Sequence, residues 1–118
     1  MIQLNVLYGH PTDPAAFEAY YAGTHMPLAG RILGPHVKVI YTSRCMPDQN
    51  GAKPAYYRVA TLLFDSLDKV QQALGTPDGH AVVADLDNFA TGGYTFLMGE
   101  VEGQAESGAS EPAAAATA

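Results

Sequence analysis

Residues 56–64 read Tyr56-Tyr57-Arg58-Val59-Ala60-Thr61-Leu62-Leu63-Phe64, and apart from Arg58 and Thr61 they are apolar at odd and even positions alike. A strand with that pattern belongs in the interior of a sheet, covered on both faces. Downstream, Asp65-Ser66 caps a short helix whose buried stripe is Leu67, Val70 and Leu74, closed by Gly75. Thr76-Pro77 then starts a further helix, with Val82, Val83, Leu86, Phe89 and Ala90 facing in. Gly92-Gly93 ends it, and Tyr94, Phe96 and Met98 alternate with Thr95 and Leu97 in a last strand. Upstream, Pro47-Asp48-Gln49-Asn50-Gly51 is a hairpin loop, and a strand over about 36–45 precedes it.

The N-terminal third completes the pattern. Ile2, Leu4, Val6 and Tyr8 alternate with Gln3 and Asn5, the period of a half-buried strand. Asp13 is an N-cap with Pro14 at the first helical position, and Phe17, Tyr20, Tyr21, Thr24 and Leu28 then recur at helical spacing until Gly34-Pro35. The order is strand-helix-strand-strand-helix-strand. It predicts an α+β fold of the ferredoxin-like kind, a four-stranded antiparallel sheet with helices on one face. Strands apolar on both faces then leave one sheet face uncovered, which predicts a homodimer with two sheets packed together.

Composition bounds the function. The chain has 118 residues, 47% of them hydrophobic and 15% charged, with a net charge of −6. One domain is expected, and the acidic balance argues against nucleic acid as a partner. No apolar run approaches the ~18 residues of a membrane span, so no membrane partner is expected. The single Cys45 fits a reducing, cytoplasmic setting. Residues 1–102 are read as the folded domain. Residues 103–118, rich in alanine and lacking anything large to bury, are read as a disordered tail.

The segment Tyr20-Tyr21-Ala22-Gly23-Thr24-His25-Met26-Pro27 carries the clearest chemical signal. His25 lies one helical turn after Tyr21 and two after Phe17, at the flank of the inward face. Pro27 cannot donate to the carbonyl of Gly23, so the helix should kink or loosen there. A histidine at such an irregularity beside an apolar cavity suits general acid–base work. It equally suits capping of the freed carbonyls and packing on Tyr21. Tyr8, Tyr41, Tyr57 and Tyr94 fall on strands, where a phenol either orients a ligand or simply fills core. Arg58, alone among apolar neighbours, either binds an anionic group, pairs with an acid across the dimer, or reaches water at a sheet edge. Asp85 and Asp87, two apart on a helix, cannot face each other and read as a solvated face. His10, His25, His36 and His80 have no metal-ligand spacing, no glycine-rich loop joins a strand to a helix, and no serine sits in a nucleophile elbow. No metal and no bound cofactor are expected.

Two segments together resemble the EthD family, named for ethyl tert-butyl ether degradation. One is Tyr8-Gly9-His10-Pro11-Thr12-Asp13-Pro14 with Phe17-Glu18-Ala19-Tyr20-Tyr21 and Thr24-His25-Met26-Pro27-Leu28-Ala29. The other is Tyr56-Tyr57-Arg58-Val59-Ala60 with Phe64-Asp65-Ser66, Thr76-Pro77-Asp78-Gly79 and the run from Ala84 to Gly93. The likeness covers residues 1–101. It implies a dimeric α+β barrel, with a ligand cavity between sheet and helices, and it places His25 at the family's helical histidine. Family members are commonly labelled oxidoreductases, from a founding member that accompanies a haem-dependent monooxygenase system. Fungal relatives are decarboxylases or dehydratases of polyketide tailoring.

Residues and resemblance lead to an oxidoreductase-associated or cofactor-free enzyme of xenobiotic degradation, acting on a small hydrophobic or phenolic molecule. His25 is the expected acid or base. Tyr8, Tyr21 and Tyr57 are expected to orient the substrate, and Arg58 to hold any anionic group. The alternative is a non-catalytic ligand-binding accessory subunit of a monooxygenase or degradation system. A third reading is a purely structural dimer.

Overall fold

The alternation over residues 2–8 survives in three dimensions. In the computed structural model, which describes residues 1–103, β1 (Ile2–Tyr8) buries Leu4, Val6 and Tyr8 and leaves their neighbours half-buried. Past Gly103 the expected tail lies outside the described residues. Asp13 accepts the Ala16 N–H at 3.1 Å and opens α1 (Pro14–Tyr20), with Pro14 in the first turn, where a missing N–H costs nothing. The chain then widens into a π-helical turn, Tyr21–His25, in which the Met26 N–H reaches back five residues to the Tyr21 carbonyl. Pro27 explains the widening: it has no N–H for the Gly23 carbonyl, so the α-helical bond at that point does not exist. The expected loosening is thus a wider turn rather than a kink, and α2 (Met26–Leu33) continues from it.

β2 (Val39–Arg44) begins later than the sequence pattern predicts. The Leu33 carbonyl accepts both the His36 and Val37 N–H groups, at 2.9 and 3.1 Å, so these residues finish the helix instead of starting the strand. In the following loop Asp48 Oδ1 accepts from the Asn50 and Ala52 N–H groups, and Gly51 takes φ +80°, the left-handed conformation that favours glycine. β3 (Arg58–Phe64) starts two residues after Tyr56, although the Tyr57 N–H already bonds to the Tyr8 carbonyl at 2.7 Å. Ser66 caps α3 (Leu67–Leu74) and Thr76 caps α4 (Pro77–Asp85). The last helix stops at Asp85, short of the expected Ala90, and a 3₁₀ turn over Leu86–Asn88 leads towards β4 (Tyr94–Glu100).

The sheet order is β2-β3-β1-β4 with every neighbour antiparallel. This is the ferredoxin-like order, and β3 is interior as its two-sided apolar pattern predicts. The register pairs Val6 with both Ala60 and Phe96, and Leu4 with both Leu62 and Met98. These residues therefore share one face, and the helices pack on it. The opposite face carries Leu7, Val59, Leu63, Val39, Tyr41 and Leu97, of which Tyr41 and Leu97 are more than half exposed. Among polar groups there, Thr61 donates to Asn5 Oδ1 at 2.8 Å.

At the end of the sheet where β1 leaves and β4 enters, two glycine backbones touch. A Cβ on Gly9 would stand 2.1 Å from the Gly92 carbonyl oxygen, and one on Gly92 2.2 Å from that of His10. Only glycine permits this approach. It holds the segment carrying Phe89 against an aromatic cluster of Tyr8, Phe17 and Tyr21, with ring centres 5.2–5.8 Å apart.

Candidate functional site

The helices leave space above the sheet. Between β1, β3, β4 and the helical layer lies a cavity of about 350 Å³, walled by apolar side chains such as Val6, Ala29, Ala60, Leu62 and Leu86. Its polar lining consists of Tyr8, Tyr21 and His25. The size is that of a pocket for a small organic ligand. Phe96 and Met98 line it as well, yet are 43% and 57% exposed, so the cavity opens along β4.

His25 enters this cavity because the π turn re-phases the helix. Its ring stacks on Tyr21 at 5.8 Å and packs against Phe89 at 4.7 Å. It is only 5% exposed. Its Nδ1 lies 2.9 Å from Oδ2 of Asp85, the last residue of α4, which is 9% exposed. The other oxygen, Oδ1, accepts from the Tyr20 hydroxyl at 2.6 Å and from Asn88 Nδ2 at 2.9 Å. Burial alone would raise the Asp85 pKa, but the bonds from Tyr20, Asn88 and His25, with the His25 charge, outweigh it and hold this carboxyl below its usual value. An ionised Asp85 makes Nδ1 the protonated nitrogen of a neutral His25 and leaves Nε2 as an acceptor. The solvated face expected at Asp85 and Asp87 is corrected here: Asp87 is exposed, while Asp85 is buried and partnered.

Beside this pair lies a second polar cluster. The Tyr21 hydroxyl donates to Thr42 Oγ1 at 2.9 Å, and Arg58 Nη1 donates to the same oxygen at 3.1 Å. Arg58 Nη2 forms an ion pair with Glu18, whose second oxygen accepts from the Tyr57 hydroxyl at 2.9 Å. The guanidinium carbon sits 4.8 Å from the centre of the Tyr21 ring, within cation–π range. Arg58 is thus engaged within its own chain, a partner the sequence did not indicate. Burial, with the neighbouring Tyr21, pushes the Tyr8 phenol far up. Burial likewise raises Tyr21, against the opposing pull of Thr42 and Arg58. Both phenols are therefore neutral donors at physiological pH.

Of the five residues singled out in the sequence, Tyr8, Tyr21 and His25 meet at the cavity wall. Tyr57 and Arg58 stand behind it at Glu18. Asp85, Tyr20 and Asn88 are the additions, and no local spacing signals them: Asp85 lies sixty residues from His25. Among the described residues no group of three His, Cys, Asp or Glu side chains is placed to hold a metal, and no helix is long and apolar enough to cross a membrane.

The model of the EthD domain matches residues 9–93. The chain belongs to the EthD family. Both His25 and Asp85 fall inside the EthD match, whereas Tyr8 lies one residue before it. An uncharacterised 11.0 kDa protein of Rhodococcus erythropolis, from the thcB-thcC intergenic region, is 38% identical over 102 residues, covering 86% of this chain and 96% of that one. The crystal structure of an EthD family protein from Bacillus halodurans superposes with a TM-score of 0.77 at 30% identity, over 86% of this chain and 99% of that one. More distant structures share the fold alone. A dimeric protein of unknown function with a ferredoxin-like fold from Bacteroides fragilis has a TM-score of 0.59 at 13% identity, covering 85% of this chain and 95% of its own. SnoaB, a cofactor-independent oxygenase from Streptomyces nogalater, has 0.58 at 18%, covering 87% and 93%.

Proposed function

We propose that this EthD protein is a homodimeric enzyme that moves a proton on a small hydrophobic or phenolic molecule, with His25 as the acid–base group. One observation carries the reading: a buried His25–Asp85 pair with His25 in the wall of a largely apolar cavity. Asp85 fixes the tautomer and stabilises the imidazolium that forms when Nε2 takes a proton. The proton leaves an O–H or an acidified C–H of the substrate, rests on Nε2, and returns to the product. Tyr8 supplies a neutral phenol to orient the substrate oxygen, the Tyr21 oxygen, whose hydrogen goes to Thr42, can accept from a substrate O–H, and Arg58 and Tyr57 act on Tyr21 and Glu18 from behind.

The dimer follows from the outer sheet face. Leu7, Val59, Leu63, Val39, Tyr41 and Leu97 form an apolar patch of the kind that soluble monomers rarely expose. The fold relative from Bacteroides fragilis is itself dimeric, which supports association of two chains.

Proton exchange tests the chemistry. Enolisable aryl ketones and phenols in deuterated buffer should exchange label faster with the protein than without it, by NMR. His25→Gln keeps a polar side chain of similar reach and should abolish the acceleration while the fold, by circular dichroism, is kept. The almost wholly apolar lining also suits a carrier that binds without turnover, as an accessory subunit would. In that case ligands bind both proteins equally and no exchange is accelerated.

A further inference from the structure

We propose that the cavity selects uncharged ligands, apolar molecules with one carbonyl or hydroxyl oxygen, and refuses carboxylates, because the cations beside it are already matched by acids of this chain. The inference rests on the reading of the cavity as the binding site, and it narrows the substrate class.

The charges around the cavity can be followed pair by pair. Among the described residues no Lys, Arg, Asp or Glu lines it. Behind one wall, the His25–Asp85 pair carries one negative charge when the imidazole is neutral and none when it is protonated. In neither state does it offer an anion a net positive charge. Behind the other wall, the charge of Arg58 is paired with Glu18 through Nη2, bonded to Thr42 through Nη1 and laid over the Tyr21 ring, with Nε buried and unbonded. A carboxylate entering this space loses its hydration and meets no free cation, which makes its burial costly. The net charge of −6 opposes its approach as well. A carbonyl or hydroxyl oxygen asks for less: the phenol of Tyr8 can donate to it, and a ligand O–H can in turn donate to Nε2 of His25. With Tyr21, whose own hydrogen goes to Thr42, these are the polar side chains of the lining among the described residues.

Glu18 is therefore the residue that sets the ligand's charge. It belongs to α1 and does not line the cavity, but it removes the charge that Arg58 would otherwise present. In its place an uncharged amide would keep a hydrogen bond with Tyr57 and leave the guanidinium charge unmatched.

Calorimetric titration of the full chain near neutral pH, with 2-acetonaphthone and 2-naphthoate as a matched pair, tests this. The ketone should bind, and the carboxylate should bind at least about tenfold more weakly. In Glu18→Gln the naphthoate affinity should rise severalfold with ketone affinity little changed. Equal binding of the two probes by the wild type overturns the proposal, as does binding of neither. A naphthoate affinity unmoved in a folded Glu18→Gln variant overturns it too. The acid–base reading fails separately: if label exchange is unaccelerated while the ketone still outcompetes the carboxylate, the charge selection stands and the catalysis does not.

Discussion

Nδ1 of His25 meets Oδ2 of Asp85 at 2.9 Å although the two stand sixty positions apart in the chain, because the π turn of the first helical segment and the end of α4 converge over the same sheet face. Asp85→Asn keeps the size and removes the charge. The amide then donates to Nδ1, the proton moves to Nε2, and the base is lost. Label exchange should fall on the order of 10³-fold, with ¹⁵N shifts of the imidazole reporting the tautomer change.

The same carboxyl links folding to acid. The folded Asp85 holds its proton less tightly than the unfolded one, whose value is the ordinary 3.8. Its contribution to stability is therefore complete above that value and disappears as pH falls through the lower, folded one. Urea melts of the wild type should lose stability over this acid range, and Asp85→Asn should show a shallower dependence there.

Pro27→Ala restores an N–H that the Gly23 carbonyl can accept. The wider turn can then close to an α-helical one, which rotates the residues on one side of it by about 100° relative to the other. His25 should leave Asp85. Far-UV circular dichroism should show unchanged or greater helix content, while label exchange collapses.

Ala60 faces the cavity from the interior strand β3 and is buried. Ala60→Leu sends extra carbons into existing space, so the ligand-free protein should melt no lower and gain up to about 1 kcal/mol. Ketone binding by calorimetry should be lost. A lower melting temperature would show that the site has no room for the added carbons.

Leu97 stands on the outer face of β4, more than half exposed in a single chain. Leu97→Lys places a charge in the middle of the proposed sheet-to-sheet contact, which buried charge does not tolerate unpaired. Light scattering should report twice the chain mass for the wild type and a single chain for the variant.

Much of this architecture can be read from the chain alone. Alternation at 2–8 and 94–98, the caps Asp13, Ser66 and Thr76, and the two-sided apolar run ending at Phe64 locate the strands and helices, because each is a local signal with a local cause. Strand ends are less legible. Whether His36 and Val37 finish a helix or start a strand depends on one carbonyl, that of Leu33. The site divides the same way. His25 stands out through Pro27, two residues away. Asp85 does not, since an aspartate two residues from another looks like any solvated acid until a histidine from another helix is brought against it. Glu18 likewise shows no sign of Arg58, forty residues on.

The touching backbones of Gly9 and Gly92 have a kinetic consequence. They fix the loop after β1 against the segment after Phe89 with backbone on backbone, so the Phe89 ring that packs on His25 is held from a contact no side chain can loosen. The side where Phe96 and Met98 are open to water offers a way into the cavity. A ligand passing there meets the flexible Met98 side chain before the rigid aromatic end, so the entrance can adapt while the seat of the imidazole stays fixed.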